Sequence, residues 1–148
     1  PFPWLAAFDA DGSSRRIDLP ADRPDGVLNA GVGDGDGLIL CSGNAAARLD
    51  ASYELDWTRE YGPLGDEQVG EITSTSDGGF LFHTTPVGDG DFTLAKADAE
   101  GELQWHHTYR IGTDTPSEIH ALTERSSGEY LLAGGANRSS DGWALAFS

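Results

Sequence analysis

An internal repeat restricts the fold of this chain more than any other feature. The stretch SDGGFLFHTT at 76–85 returns as SSGEYLLAGG at 126–135. Three further stretches align with one another, namely WLAAFDADG, AAARLDASY and FTLAKADAEG, and the chain ends on WALAFS, which begins another copy. Self-similarity with a period of 20 to 50 residues is the sequence signature of a repeat architecture. The chain is therefore expected to consist of stacked copies of one unit.

Each copy contains four short segments that have the properties of β-strands. The aligned stretch comes first, and a second segment follows as SSRRIDL, YELDWTREY or GELQWHHTYR. The third segment is GVLNAGV, VGEITSTS or IHALTERS, and the fourth is GLILCSG, GFLFHTT or EYLLAGG. Alternation in ITSTS, β-branched and aromatic residues, and turn signals such as DGG favour strands. We predict one all-β domain over 1–148, with four-stranded antiparallel repeats at 4–44, 45–91 and 92–142 and a partial fourth at 143–148.

The repeat resembles that of a known family of β-propellers. LAKADAEGELQW at 94–105, then Thr108 and Tyr109, then SGEYLLAG at 127–134 are similar to the repeats of secreted and haloarchaeal propeller proteins, K-x-D-x-x-G, W and DGGY. The resemblance covers essentially the whole chain and implies quinoprotein-like or WD40-like blades. The sequence departs from the family pattern in two respects. The family lysine is present only as Lys96, with Phe8 and Arg48 near the equivalent places, and the first copy lacks a tryptophan.

Three blades would leave two flanks of apolar sheet, because propellers usually close with about four to eight blades. One solution is that the chain is part of a larger propeller. Another is that two copies form a six-bladed ring, in which PFPWLAAF and DGWALAFS close blades across the joins. The alternative fold is a β-trefoil, which also has three four-stranded repeats in about 150 residues. In the propeller, Trp57 and Trp105 are expected to pack between neighbouring blades.

The charge of the chain indicates an unusual solvent. Against 25 Asp and Glu stand 9 Lys and Arg, which gives a net charge of −16, and Lys96 is the only lysine. Molar salt screens surface repulsion within a few ångströms, so a protein in such a solvent tolerates dense carboxylates. The composition therefore predicts a halophilic, archaeal source. A phosphate backbone or an anionic membrane would be repelled, so nucleic acid and membrane insertion are not expected.

Two aspartate-glycine strings are candidates for a calcium site. GDGDG at 33–37 contributes Asp34 and Asp36, and GDGD at 88–91 contributes Asp89 and Asp91. Calcium takes six to eight oxygen ligands from closely spaced carboxylates and carbonyls. Each string supplies only two carboxylates, and aspartate and glycine also serve turns without any ion. Weak calcium binding is therefore the one cofactor expectation, and no other cofactor is predicted.

Other chemistry-bearing residues give weaker signals. The neighbours His106 and His107 point to opposite faces of a strand, so a zinc site is not expected from them or from His83 and His120. Cys41 lies in an apolar strand and is expected to be a small buried residue. No G-x-S-x-G motif of a nucleophilic serine is present. If a site exists, the most deviant copy, the first, is expected to hold it, at Arg15, Arg16, Asp18 and Asp22.

These observations favour a non-enzymatic propeller that serves as a scaffold or binding module. Its expected partner is a protein, a glycan or a second copy of the same chain, because propeller folds commonly serve as binding modules. The alternative is a propeller enzyme or a quinoprotein-like cofactor-binding domain with a site at the central channel. Pro1 is expected to begin a processed chain or a fragment. Because related repeats are often exported, the cell surface is favoured over a salt-rich cytoplasm.

Overall fold

The computed structural model describes residues 4–19, 30–34, 37–64, 68–85, 91–110, 117–136 and 142–147. This part of the chain is all-β, as predicted, and its one helical element is a short 3-10 turn at Gly62–Leu64. The strands are β1 Trp4–Phe8, β2 Ser14–Asp18, β3 Ala30–Asp34, β4 Gly37–Ser42, β5 Ala45–Leu49, β6 Leu55–Glu60, β7 Gln68–Ser74, β8 Phe80–Thr85, β9 Asp91–Ala97, β10 Leu103–Arg110, β11 Ser117–Glu124, β12 Tyr130–Ala136 and β13 Gly142–Phe147.

The strands form four separate antiparallel sheets in which chain neighbours pair. They are a hairpin (β1-β2), a first sheet (β3-β4-β5-β6), a second sheet (β7-β8-β9-β10) and a third sheet (β11-β12-β13). Each of the first two sheets combines the last two segments of one sequence repeat with the first two of the next. The fourth segment of a repeat pairs across a loop with the next copy, for example with Leu81 opposite Lys96. Sheets and sequence repeats are thus offset by two strands, because periodicity alone does not reveal where a hydrogen-bonded sheet begins.

Successive sheets are joined face to face by apolar clusters. Alternate residues of β8 serve opposite faces: Phe80 and Phe82 pack towards the first sheet, and Leu81 packs towards the third. Between the hairpin and the first sheet lies a smaller cluster around Leu19, Leu40 and Leu49. The first and second sheets therefore bury both of their faces. Strands with two buried faces read as continuous apolar runs, which is the pattern of GFLFHTT.

The first strands of the three larger sheets lie next to one another. β7 runs beside β3 on one side and beside β11 on the other. The Val69 amide donates a hydrogen bond to the Gly43 carbonyl at 3.0 Å, and the Ser76 hydroxyl donates one to the Glu124 carboxylate at 3.1 Å. Within the described residues, the sheets do not close into a barrel or a complete propeller.

Turns with the same hydrogen-bond pattern join β1 to β2, β5 to β6 and β9 to β10, and each is called an outer turn here. It begins at Asp9, Asp50 and Asp98, and the carbonyl of each aspartate accepts a hydrogen bond from the amide three residues later. That later residue has a positive φ of 84° at Gly12, 64° at Tyr53 and 77° at Gly101. Glycine adopts this conformation without steric cost, whereas Tyr53 is strained by about 1 kcal/mol.

Candidate functional site

One contact links the outer strand of the first sheet to the outer turn of the second. The Trp57 ring lies so close to Gly101 that a Cβ there would be 2.6 Å from the indole. The buried Tyr61 hydroxyl donates to the Gly101 carbonyl at 3.1 Å, and the Arg59 guanidinium pairs with Glu102 at 2.9 Å. Burial raises the pKa of Tyr61, so its hydroxyl stays a donor. Trp57 and Arg59 of β6, together with Tyr61 directly after it, therefore contact the outer turn of the second sheet, and this contact is called the interlock.

The hairpin and the first sheet form the same interlock with exchanged side chains. In register, Arg15 lies opposite Ala7 as Trp57 lies opposite Arg48, so Arg15 takes the tryptophan position. Its guanidinium carbon lies 5.4 Å from the centroid of the Tyr53 ring, and its Nη2 donates to the Tyr53 hydroxyl at 3.3 Å. A cation over a tyrosine thus replaces an indole over a glycine. This exchange accounts for the tryptophan missing from the first copy.

The third interlock position is the strip formed by Trp105, His107 and Tyr109 on β10, called the aromatic strip. The Trp105 and His107 rings stack at 5.5 Å, and Tyr109 meets His107 edge-on at 6.4 Å. Tyr130 packs at 6.1 Å from Trp105, but His107 is exposed and Tyr109 is half-buried. In the described part of the chain, the third sheet has three strands and therefore no outer turn to cover the strip. Trp105 and Tyr109 are half-buried, so the strip is accessible in part.

The only lysine of the chain is buried and bonded within a turn. Lys96 is 2% exposed, and its ammonium group donates to Asp77 at 2.9 Å and to the Ala97 carbonyl at 3.0 Å. Hydrogen bonds from Thr75 first, then from Lys96, lower the pKa of Asp77 to about 2. A Cβ at Gly79 would lie 2.3 Å from the Ala97 carbonyl, so the DGG turn needs its second glycine. The lysine and DGG elements of the motif therefore lock a turn and are not free for chemistry.

His83 is enclosed between the second and third sheets. It is 2% exposed, and neither imidazole nitrogen has a hydrogen-bond partner among the described residues. Its ring packs on Gly70, where a Cβ would be 2.3 Å from the imidazole. Burial lowers the pKa of His83 to about 4, so the side chain is neutral at pH 7. His106 and His120 are exposed, and the described residues bring no three His, Cys, Asp or Glu side chains together as metal ligands.

The candidate calcium residues belong to separate sheets where the structure describes them. Asp34 ends β3 in the first sheet, and Asp91 begins β9 in the second, opposite Arg110. Asp36 and Asp89 lie outside the described residues, so calcium binding stays a prediction.

The structure also describes most of the remaining candidate residues, which are those of the first copy and Cys41. Arg16 pairs with Asp18 at 2.7 Å on the exposed side of the hairpin, while Asp22 lies outside the described residues. Cys41 is buried, as expected, and burial raises the pKa of its thiol to about 12, which suppresses the reactive thiolate. In the described ranges, no helix is long and apolar enough to span a membrane.

Sequence reasoning missed the interlock as a unit, together with Gly101, Tyr53 and His107 as its members. The signal was present: the copy that lacks tryptophan is followed by the copy whose outer turn lacks glycine. The two departures were read separately, because a contact between neighbouring sheets is not visible in a repeat alignment.

Comparisons with known proteins point to a fold and to no activity. No protein-family model matches the sequence, and no curated protein matches it. Among solved structures, a protein of unknown function from Bacteroides caccae is similar, with a TM-score of 0.61 and 12% identity. The match covers 98% of this chain and 54% of that one, so the chain spans about half the length of that structure. Likeness at this identity concerns the fold alone.

Proposed function

We propose that the sheets are propeller blades and that the protein is a non-enzymatic scaffold or binding module. The observation that carries this proposal is the stacking of the sheets: the first and second bury both faces, and β3, β7 and β11 lie side by side. Blades around an axis place their innermost strands next to one another in this way. A trefoil would instead close its strands into a barrel, and the described strands form neither a closed barrel nor a closed propeller.

The use of polar groups supports a scaffold. Lys96 and Asp77 are bonded within one turn lock, and Tyr61, Arg59 and Glu102 are bonded within the interlock. These contacts rigidify the stack and hold the sheets in register. Among the described residues, accessible aromatic surface is found at Phe8, which is 72% exposed, and in part at the aromatic strip, where His107 is exposed. Aromatic residues are enriched in protein interfaces, so these surfaces fit a partner.

Self-assembly is the form of binding that the surfaces favour most. The second sheet carries the aromatic strip on its outer strand β10, and the hairpin presents Phe8 on another part of the chain. Two separate apolar surfaces on one chain can pair head to tail between copies, and a rotation that closes gives a ring. Contacts with another protein or with a glycan are the remaining modes of the same binding function.

A halophilic source with an exposed location is part of the proposal. The net charge is −16, and the only lysine is buried, so no lysine stem lies on the surface. Carboxylates therefore dominate the accessible charge. At low ionic strength they repel one another over about 10 Å or more, and molar salt removes this repulsion. We place the protein at the cell surface of such an organism.

Absolute mass in solution tests the self-assembly. We would measure light scattering after size exclusion at several protein concentrations, in molar KCl and at low salt. We expect twice the chain mass of 15.7 kDa in molar KCl and dissociation at low salt, because two chains of charge −16 then repel. A folded monomer under all conditions would contradict self-assembly.

A further inference from the structure

One buried histidine lies in the apolar contact between the second and third sheets. His83 follows Leu81 by two residues on β8, so both side chains point to the face that packs on the third sheet. His83 is 2% exposed, and neither imidazole nitrogen has a hydrogen-bond partner among the described residues. A buried polar group without a partner costs free energy, and the cost becomes much larger when the group is charged. Close contact between these two sheets therefore requires a neutral imidazole.

A β-bulge provides the space for this imidazole. The pairing of β7 with β8 shifts register next to Gly70, which lies across from His83. A Cβ at Gly70 would be 2.3 Å from the ring, so a larger residue would displace it. On its other side His83 is paired with Leu94 of β9. Because β7, β8 and β9 hold one another within the second sheet, the imidazole reaches water when the third sheet moves away.

The contact between the first and second sheets lacks an imidazole at the equivalent place. In the aligned segments GLILCSG, GFLFHTT and EYLLAGG, the fifth residue is Cys41, His83 or Ala133. Cys41 belongs to the apolar cluster between the first and second sheets, and burial raises the pKa of its thiol to about 12, so the thiol stays neutral in acid. The interlock joins the same two sheets. Acid therefore acts on one of these contacts and spares the other.

We propose that His83 is an acid-sensitive switch: its protonation separates the third sheet from the second, while the first and second sheets stay together. Separation exposes the apolar cluster of Leu81, Phe92, Leu94, Ile119, Leu122 and Leu132. Protons bind the open state better than the closed state, and such a difference in affinity shifts a conformational equilibrium. The switch acts within a single chain and therefore does not depend on the self-assembly proposed above.

The surrounding charged groups do not compensate a protonated His83. Titratable side chains on the neighbouring strands are Glu71 on β7, Lys96 on β9, His107 and Tyr109 on β10, His120 and Glu124 on β11 and Tyr130 on β12. Lys96 is itself a cation and is bonded to Asp77, and Glu124 accepts hydrogen bonds from Ser76. Glu71, His107 and His120 are exposed. Burial lowers the pKa of His83, and no described carboxylate bonds its ring.

Thiol labelling in molar KCl tests the switch at both contacts of one molecule. In the variant Leu132→Cys, the thiol at position 132 lies between the second and third sheets, and Cys41 lies between the first and second. A dithiodipyridine labels thiols in acid, and peptide mass spectrometry follows the two positions separately. Each rate, divided by that of an unstructured peptide at the same pH, gives an opening constant for the position.

The constant at position 132 is expected to rise about 20-fold from pH 7 to pH 5, because the pKa of His83 is about 4 when buried and 6.5 when open. At pH 5 it should exceed the constant at Cys41 by about tenfold or more, as a local opening requires. Equal constants at the two positions would show that the chain opens as one unit and would overturn the switch.

Histidine variants in the Leu132→Cys background decide whether His83 carries the response. His83→Ala copies the residue of the third sheet, and His83→Leu fills the place of the ring; both should leave the constant at position 132 nearly independent of pH between 7 and 5. His107→Gln is the control, because His107 lies in the same row beside Leu94 but is exposed, and it should keep the rise. A rise that persists in both His83 variants, or that disappears in His107→Gln, would overturn the assignment to His83.

Discussion

The indole of Trp57 covers Gly101 so closely that a Cβ at this glycine would stand 2.6 Å from the ring, although the two residues belong to different sheets. The contact combines two requirements at one residue. Gly101 must adopt a positive φ of 77° to turn the chain, and it must lack a side chain so that Trp57 of the neighbouring sheet can approach its backbone. A residue that satisfies both is therefore critical for stacking and for the turn alike.

Gly101→Ala is expected to lower the free energy of unfolding by about 2 to 4 kcal/mol, as the sum of left-handed strain and overpacking against the indole. Denaturant titration in molar KCl measures it. The control is Gly128→Ala, which has a similar φ of 84° and open space, and it should cost only about 1 kcal/mol. Equal losses in the two variants would show that Trp57 does not press on Gly101.

The two tryptophans are expected to differ in a way that sequence alone does not distinguish. Trp57 stacks on Phe80 at 6.2 Å and covers Gly101, so Trp57→Ala should cost about 3 to 5 kcal/mol at every protein concentration. Trp105 packs on His107 and Tyr130 but contacts no outer turn among the described residues. Trp105→Ala should therefore cost less than Trp57→Ala, and denaturant titration of the two variants in molar KCl measures the difference.

The strand content of this chain was predictable because apolar alternation and turn residues act locally. The strands around GFLFHTT and FTLAKADAEG, and the turns at Gly78 and Gly128, are where the sequence places them. The grouping of strands into sheets was not predictable in the same way. It depends on which edges pair across loops, and a periodic sequence is consistent with more than one starting point.

The site was harder to predict than the fold, for a physical reason. The sequence around Lys96 gives no sign that its side chain is buried, yet Lys96 is 2% exposed and bonded to Asp77. Arg15 and Tyr53 read as two unrelated departures, yet they form one contact. Both cases depend on contacts between side chains of different strands or turns. Such contacts produce no fixed spacing between residues that could be recognised in the sequence.

His83 should make the protein sensitive to mild acid. Its pKa is lowered to about 4 in the folded chain and is near 6.5 when unfolded, so the folded state disfavours the protonated form. Stability is therefore full above pH 6.5 and falls as the pH drops towards 4, by about 3 kcal/mol in total. His83→Leu should remove this dependence between pH 6.5 and 4, whereas His106→Gln, at an exposed position, should keep it.

The Lys96 and Asp77 pair should respond unequally to the loss of each partner. Asp77→Ala leaves a buried ammonium group without its carboxylate and is expected to cost about 3 kcal/mol or more. Lys96→Met removes the buried charge, and the Asp77 side chain, which is 55% exposed, regains water, so this variant should cost less.

Denaturant titration of both variants at pH 7 gives the order, and Asp18→Asn supplies a control, because the exposed pair of Arg16 and Asp18 contributes about 0 to 1 kcal/mol. The wild type should also lose stability as the pH falls from about 4 through 2, since the pKa of Asp77 is lowered to about 2. A larger loss for Lys96→Met than for Asp77→Ala would mean that the lysine stem stabilises the sheet by packing and not by its charge.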